Sequence, residues 1–322
     1  MLQDSVGRRF HYLRLSVTDV CNFRCNYCLP DGYQKKGKNK FLNVEEIGTL
    51  VSAFAELGTS KIRITGGEPS LRRDLPEIIA RCKQTAGIEK VAMTSNGYKL
   101  EKQIDDWHKA GLDALNISVD SLDPRMFSTI TGHNKLEDIL RGIEKAADLG
   151  ISVKINAVLM KQFNGSQLPQ YLNWVKDKAF TVRFIELMET GDNQDFFKQN
   201  HIRGMSIKDQ LLSQGWERII REKHAGPAQE FKHPDYQGKI GLIMPYSKDF
   251  CKSCNRLRVS AKGKMHLCLF AAQGNDLRSW LEDNDVEGLK LELQRLVGKK
   301  LEAHDLHHGY TGATTDLAML GG

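Results

Sequence analysis

Short apolar runs alternate with helical apolar patterns along roughly the first 190 residues of the chain. In residues 44–57, apolar side chains recur every three or four positions from Ile47 to Phe54, the spacing of an amphipathic helix. Asn43 can cap the start of this helix and Gly58 can close its end. The runs that predict strands are residues 12–17, 61–65, 91–95, 114–119, 152–159 and 181–187.

This alternation predicts an α/β fold with a parallel sheet. Six βα units are two fewer than a complete barrel contains, which favours a partial, open TIM-like barrel; a flat doubly wound sheet is the competing arrangement. After about residue 191 the alternation stops. Residues 225–238 are predicted to be a loop and residues 257–270 a hairpin. We therefore predict a barrel domain over residues 1–191 and a C-terminal extension over residues 192–322.

Polar residues gather where the predicted strands end. The second strand runs into Thr65-Gly66-Gly67-Glu68, and residues 94–97 and 118–121 are polar at the ends of the next two strands. Barrels of this kind carry their chemistry at the carboxyl ends of the strands. The pattern therefore predicts an active site at this edge of the sheet.

Composition excludes several classes of protein. The chain has 322 residues, 40% of them hydrophobic, which is enough to build a core. It contains no apolar run of about 18 residues and no signal-peptide pattern at its start, so we expect a soluble, cytoplasmic protein without a membrane partner. The formal net charge of +6 suits an anionic small molecule as readily as a nucleic acid.

The seven cysteines fall into two tight groups and one isolated residue. The first group, Cys21, Cys25 and Cys28, has no further Cys or His close downstream to complete the four ligands of a structural metal site. One coordination position is thus open, as in a catalytic centre; a zinc knuckle with a distant fourth ligand is the alternative. The isolated Cys82 is in step with apolar residues of a predicted helix and is expected to be buried.

The second group is Cys251, Cys254 and Cys268. The predicted hairpin would bring Cys268 back beside the first two, and His266 would face the same way as Cys268 on its strand. The spacing alone leaves a Cys₃His zinc site and an iron–sulfur cluster equally open.

The first group also carries a resemblance. Cys21-x-x-x-Cys25-x-x-Cys28, with aromatic Tyr27 before the last cysteine, resembles the cluster motif of the radical S-adenosylmethionine (SAM) superfamily. Gly66-Gly67-Glu68-Pro69 resembles that superfamily's segment for the amino group of SAM. The resemblance implies a [4Fe–4S] cluster held by three cysteines, with SAM on the open iron.

Over nearly its full length the chain is similar to the GTP 3′,8-cyclases of molybdenum cofactor biosynthesis. The likeness includes residues 13–19, 61–69 and 183–188, the second cysteine group, and the terminal Gly321-Gly322. It implies that Cys251, Cys254 and Cys268 hold a second [4Fe–4S] cluster whose open iron binds the guanine of GTP. It also implies a tail that inserts into the active site, although many relatives have an arginine where this chain has Leu320.

The same resemblance assigns roles to other side chains. Arg14, Arg63 and Lys154 alternate with apolar residues on predicted strands, so they face the side that can be the barrel lumen, where each pairs either with a carboxylate or with an anionic ligand. By resemblance, the GTP contacts are Arg14, Arg63, Thr94, Lys154, Arg256 and Arg258. By resemblance, the residues around SAM are Tyr27, Gly67, Ser118, Arg183 and Met188.

The activity implied is conversion of GTP to (8S)-3′,8-cyclo-7,8-dihydroguanosine 5′-triphosphate, started by a 5′-deoxyadenosyl radical that removes hydrogen from C3′. The implied partners are a one-electron donor protein, a second copy of the chain in a homodimer, and a cyclic pyranopterin monophosphate synthase that receives the product. Three alternatives remain at this point: another radical SAM enzyme with an auxiliary cluster, an electron-transfer protein with two clusters, and a zinc-binding nucleic-acid module.

Overall fold

A single twelve-stranded sheet organises the chain. The computed structural model describes residues 1–35, 40–220, 226–312 and 318–320. In chain order the strands are β1 (Tyr12–Ser16), β2 (Lys61–Thr65), β3 (Lys90–Ser95), β4 (Ala114–Ser118), β5 (Ser152–Leu159), β6 (Thr181–Glu186), β7 (Glu217–Arg218), β8 (Gln229–Lys232), β9 (Lys239–Ile243), β10 (Arg256–Val259), β11 (Lys264–His266) and β12 (Asn275–Asp276). Across the sheet their order is β12-β11-β10-β1-β2-β3-β4-β5-β6-β9-β8-β7.

The eight strands from β10 to β9 in that order are mutually parallel, and the outer strands on each side pair in antiparallel fashion. Among the described residues the two edge strands, β12 and β7, do not pair with each other, so the sheet is open. The predicted partial βα barrel is therefore confirmed.

Two of the eight parallel strands come from the C-terminal region. Strand β10 pairs with β1, and β9 pairs with β6, so each widens one edge of the six-stranded unit that the sequence predicts. The predicted hairpin is confirmed as β10 and β11. The predicted loop over residues 225–238 is partly wrong, because it contains β8, which pairs with β9. The division of the chain at residue 191 stays a prediction.

Helices pack along the sheet. They are α1 (Val44–Glu56), α2 (Leu75–Gln84), α3 (Leu100–Lys109), α4 (Pro124–Thr131), α5 (Leu136–Asp148), α6 (Leu168–Lys176), α7 (Gln194–Asn200), α8 (Gly204–Ser213), α9 (Arg278–Glu282) and α10 (Val286–Val297), with single 3-10 turns at Pro69–Leu71 and Leu306–His308. Helix α1 begins with the predicted cap. The Asn43 side chain accepts a hydrogen bond from the backbone N–H of Glu46, and the Glu46 carboxylate accepts a hydrogen bond from the backbone N–H of Asn43. No helix among the described residues is long and apolar enough to cross a membrane.

Side chains along each central strand point alternately into the apolar core and into an inner cavity. On β1, Leu13 and Leu15 are fully buried in the apolar core, while Tyr12 and Arg14 line the cavity. This period-two alternation is what a strand dictates. A smaller apolar cluster, formed by Leu269, Phe270, Leu306 and Leu320, lies apart from the main core.

Candidate active site

A cavity of about 430 Å³ lies against the inner face of the parallel strands. Among its described lining residues a single one is acidic, Glu230. The basic side chains that line it are Arg14, Lys61, Arg63, Lys90, Lys154, Arg183, Lys239, Arg256 and Arg258. So many cations around one enclosed space require anions, because a buried charge without a counter-charge is costly.

Three of these arginines stand in one row across the sheet. Arg14 of β1 is in register with Arg258 of β10 on one side and with Arg63 of β2 on the other. Arg63 and Arg258 are buried. Like charges that face each other on neighbouring strands destabilise a sheet, so this row favours a ligand that carries several negative charges.

The polar contacts within the row leave donors available. Arg63 donates to the Tyr12 hydroxyl through Nε and to Thr94 Oγ1 through Nη1, the latter at 3.2 Å. The Nε groups of Arg258 and of Arg256, two residues before it on β10, are buried and have no hydrogen-bond partner among the described residues. A buried unpaired donor costs free energy unless a ligand satisfies it.

The concentration of charge shifts several pKa values. Burial and the charges of the neighbouring arginines together lower the pKa of Arg14 to about 9, although Tyr12 acts to raise it. Burial acts to raise the pKa of Tyr12, but the charges of Arg63, Arg14 and Lys61 outweigh it and bring the value down to about 7. A phenol that ionises near neutral pH indicates a strongly positive field in this part of the cavity.

The opposite wall holds the remaining predicted contacts. Lys154 donates to Glu230 at 2.7 Å, an ion pair that is partly exposed to the cavity. Arg183 is in register with Asn156, and within the part of the chain that the structure describes its buried Nε and Nη2 have no hydrogen-bond partner. Met188 also lines the cavity, and its carbonyl accepts from Asn193. The predicted SAM residues Arg183 and Met188 thus share one space with all six predicted GTP contacts.

The first cysteine group lies in the loop that follows β1, beyond the carboxyl end of that strand. Cys21 and Cys25 pack against the edge of the main core, and Cys28 packs against the smaller apolar cluster. The Asn96 side-chain amide, at the end of β3, lies 3.9 Å from the sulfur of Cys21. Burial raises the pKa of Cys21 to about 11, so a cationic metal centre is needed to hold this residue as a thiolate at neutral pH.

The Gly66-Gly67-Glu68 segment is packed directly against this loop. Gly67 N–H donates to the carbonyl of Thr18, and a Cβ on Gly67 would lie 2.4 Å from the carbonyl oxygen of Val20. Any larger residue would therefore push the cysteine loop away. The fully buried Glu68 carboxylate accepts from Ser95 and from the backbone of Asn96, tying β3 to the same place.

Tyr27 belongs to the loop of the first cysteine group, and neither Tyr27 nor Ser118 is among the described residues that line the cavity. The Tyr27 hydroxyl donates to Asp120 at 2.9 Å, and Asp120 also accepts from the backbone of Val158. Burial raises the pKa of Asp120 to about 6. Ser118 ends β4, two residues before Asp120. Tyr27 and Gly67 thus belong to or contact the loop of the first cysteine group, and Ser118 lies at the carboxyl end of β4.

The second cysteine group lines the cavity near the amino end of β10. Cys254 N–H donates to the carbonyl of Cys251, and the three thiols are close enough that Cys254 and Cys268 both raise the pKa of Cys251. Burial acts to raise the pKa of Cys254, but Arg256 and Lys300 bring it down to about 7. A thiolate is therefore accessible at neutral pH here, as metal binding requires.

His266 is not among the described residues that line the cavity with these thiols. It pairs in register with Arg258. Its ring packs against Gly274, where an added Cβ would lie 2.5 Å from His266 Nε2. Among the described residues, no three His, Cys, Asp or Glu side chains converge on a single metal ion. An iron–sulfur cluster does not require such convergence, because each thiolate binds a different iron.

Several residues of the site were not predicted from the sequence. Tyr12 and Lys61 each lie two positions before a predicted contact on the same strand face, so strand periodicity was the signal that could have found them. Lys90 and Lys239 are the first residues of β3 and β9, two strands of the same sheet that are not adjacent. Glu230 offers no such signal, because its strand lies within a segment that has the composition of a loop. Gly321 and Gly322 lie outside the described residues.

Comparison with known proteins agrees with this geometry. Residues 15–175 match the radical SAM superfamily and residues 180–306 match the family "Molybdenum Cofactor Synthesis C". A Vibrio parahaemolyticus protein named GTP 3′,8-cyclase is 55% identical over 99% of this chain and 97% of its own length. The chain belongs to the GTP 3′,8-cyclase family. A Shewanella denitrificans protein of the same name is 53% identical over 100% of this chain and 96% of its own.

Solved structures support the fold. Streptococcus suis SuiB, crystallised with S-adenosylmethionine, superimposes with a TM-score of 0.62 over 89% of this chain and 68% of its own, at 13% sequence identity. As a radical SAM enzyme of the GTP 3′,8-cyclase family, the chain uses SAM and a [4Fe–4S] cluster. The first cysteine group fits that cluster, since it offers three thiols in one loop beside the polar ends of β2, β3 and β4.

Proposed function

We propose that this protein converts GTP to (8S)-3′,8-cyclo-7,8-dihydroguanosine 5′-triphosphate, an early step of molybdenum cofactor biosynthesis. The observation that carries the proposal is the cationic cavity, which joins the predicted triphosphate contacts to the second cysteine group. Its volume, about 430 Å³, lies in the range of small-molecule sites. Relatives with the same two family regions are named for this activity.

The cations would hold the triphosphate. Guanidinium groups bind phosphate oxygens through paired N–H donors, and the row formed by Arg258, Arg14 and Arg63 offers three such groups side by side. Lys154 and Arg256 add charge from the two sides, and Thr94 adds a hydroxyl already aligned by Arg63. These side chains neutralise the substrate and fix its ribose relative to SAM.

Cys21, Cys25 and Cys28 would hold the first cluster, and Tyr27, Gly67, Ser118, Arg183 and Met188 would surround SAM. When bound, the reduced cluster and SAM supply a 5′-deoxyadenosyl radical able to remove hydrogen from C3′ of GTP. The chain's own contribution is enclosure. The small apolar cluster that contains Leu320 packs against Cys28 of the first group, Cys268 of the second group and Met188. This apolar contact between the two groups would help to keep water and other hydrogen donors away from the radical.

Cys251, Cys254 and Cys268 would hold a second [4Fe–4S] cluster that binds the guanine. Cys268→Ser tests this role. We expect the variant to lose the iron of the second cluster and most GTP binding, while cleavage of SAM in the absence of GTP continues. Equal loss of both functions, with a lower unfolding temperature, would instead indicate that the second cysteine group only supports the fold.

Further proposals rest on the family resemblance alone. They are the insertion of Gly321 and Gly322 into the active site, a homodimer, and a separate one-electron donor protein. Product transfer to a cyclic pyranopterin monophosphate synthase, a cytoplasmic location, and a division into residues 1–191 and 192–322 belong to the same set.

The decisive experiment is anaerobic reconstitution with iron and sulfide, followed by incubation with SAM, a chemical reductant and GTP. We expect 5′-deoxyadenosine and a cyclised nucleotide of the same mass as GTP, and neither compound in the Cys25→Ser variant. SAM cleavage with GTP left unchanged would favour another radical SAM reaction. Bound zinc without iron would favour the nucleic-acid module.

A further inference from the structure

Lys300 is a buried lysine that has no role in the reaction outlined above. It lies three residues beyond the end of α10 and is 5% exposed. Its ammonium donates to the carbonyl of Leu267, the residue before Cys268, and lies 5.7 Å from the centre of the Phe10 ring. Among the described residues, no carboxylate forms a salt bridge with it.

A buried ammonium needs a counter-charge, and its surroundings offer one type. Burial lowers the pKa of Lys300; among the charged groups around it, the thiolates of Cys254 and Cys268 act to raise that pKa, and Arg8 and Arg258 act to lower it. The two arginines repel it, so the thiolates are the only attractive partners in this set. The interaction is mutual, because Lys300 is among the groups that lower the pKa of Cys254.

We propose that Lys300 is a positioning residue of the second cluster, where its ammonium is the fixed counter-ion of Cys254 and Cys268. This role rests on the proposed second [4Fe–4S] cluster. Three thiolates make such a cluster anionic, and one-electron reduction adds a further negative charge. A fixed cation nearby stabilises the reduced form more than the oxidised form and therefore raises the reduction potential.

The alternative role for Lys300 is a purely structural one, through its hydrogen bond to Leu267. Two variants separate charge from hydrogen bonding. Lys300→Gln keeps a donor for the Leu267 carbonyl and removes the charge, whereas Lys300→Arg keeps the charge and changes the shape. Lys299→Gln is the matched control, because it removes one positive charge from an exposed neighbouring position.

The test is a redox titration of the reconstituted full chain, followed by the electron paramagnetic resonance signal of the second cluster. Cys25→Ser in every chain removes the signal of the first cluster. We expect Lys300→Gln to reduce the equilibrium constant for one-electron reduction about tenfold, a shift of about 59 mV to more negative potential. Lys300→Arg and Lys299→Gln should remain close to the parent chain. Selective loss of the second cluster in Lys300→Gln, restored in Lys300→Arg, would support the same role.

An unchanged potential in Lys300→Gln would overturn the counter-ion role, and so would an equal shift in Lys299→Gln. Similar losses in Lys300→Gln and Lys300→Arg would assign the residue to packing. If the parent chain with Cys25→Ser binds no cluster at all, the proposed second cluster fails together with the role of Lys300. If the second cluster is present and its reduction potential does not depend on Lys300, the counter-ion role is wrong and the proposed function is unaffected.

Discussion

Arg14 lies directly opposite Arg258 on adjacent parallel strands, so two guanidinium groups share one wall of the cavity. Neighbouring like charges disfavour the free protein and favour a polyanionic ligand. Both guanidinium groups therefore contribute to the preference of the cavity for a triphosphate. The repulsion between the two arginines lowers the stability of the free protein, whereas the same two charges strengthen binding of the ligand. Stability and affinity should therefore change in opposite directions when one arginine is removed.

Replacing Arg258 with Ala should weaken GTP binding by roughly tenfold or more, since a hydrogen bond to a charged group contributes about 1.5–3 kcal/mol. The unfolding temperature of the GTP-free protein should not fall, because a like-charge contact is relieved. Titration of GTP, GDP and guanosine should show a flattened dependence on phosphate number. Arg295→Ala, on a half-exposed side chain of α10, is the control. Equal losses for guanosine and GTP would remove Arg258 from the phosphate site.

Cys25 and Cys82 should respond in opposite ways to replacement by Ser. Cys25 belongs to the first cysteine group, whereas Cys82 is fully buried on α2, where burial raises its pKa to about 12. Cys25→Ser should abolish SAM cleavage and lower the iron content, and Cys82→Ser should leave both unchanged, with a modest loss of stability. Iron analysis and assay of 5′-deoxyadenosine measure the difference. Comparable iron loss in both variants would contradict the assignment of the two groups.

Tyr12 should titrate near pH 7 in the free protein, against its ordinary pKa of 10. Because the folded pKa is the lower one, the stabilisation from ionised Tyr12 is complete above pH 10 and is lost as the pH falls through about 7. The stability difference between wild type and Tyr12→Phe should therefore grow from pH 7 towards pH 10.

Ultraviolet difference spectra of the same two proteins would detect the phenolate directly. Bound GTP should move the titration of Tyr12 to higher pH, because the phosphates neutralise the arginines that lower its pKa. A transition that stays near pH 7 with GTP bound would place the phosphates elsewhere.

Glu230 should limit the affinity of the cavity for anions. It is the one acidic residue among the described cavity-lining residues, and it pairs with Lys154 at 2.7 Å. Glu230→Gln would free Lys154 and make the cavity more positive, so the affinity for inorganic tripolyphosphate should rise several-fold at low salt. Calorimetry at two salt concentrations measures this effect. Glu144→Gln, which removes the partner of Lys178 on the exposed surface, should have no effect.

Much of the fold could be predicted because its signals are local. Period-two alternation identified the six central strands and the inward direction of Arg14, Arg63 and Lys154. The pairing of β10 with β1 joins residues more than 240 positions apart, and nothing in either strand specifies that partner. The closure of the cavity by β9 and β10 therefore could not be read from the sequence.

The candidate site divides in a similar way. Cysteine spacing indicated two candidate metal-binding groups, and the family resemblance supplied their proposed roles. Lys300 and Glu230 carry no motif; each matters because folding leaves it buried or enclosed among opposite charges. Such residues follow from tertiary packing, which composition and periodicity do not encode.

The contacts of Arg8 bear on when during synthesis the proposed second metal centre can form. Its guanidinium donates to the carbonyls of Cys251, Leu301 and Glu302, while its Nε is held by Asp4. The surroundings of the second cysteine group therefore combine the first ten residues with residues beyond 300. The Cys21 contact to Asn96 and the Tyr27 contact to Asp120 need only the first third or so of the chain. On the ribosome, where folding proceeds from the N-terminus, the first centre can be loaded while translation continues, and the second must wait until the residues around 300 have left the ribosome.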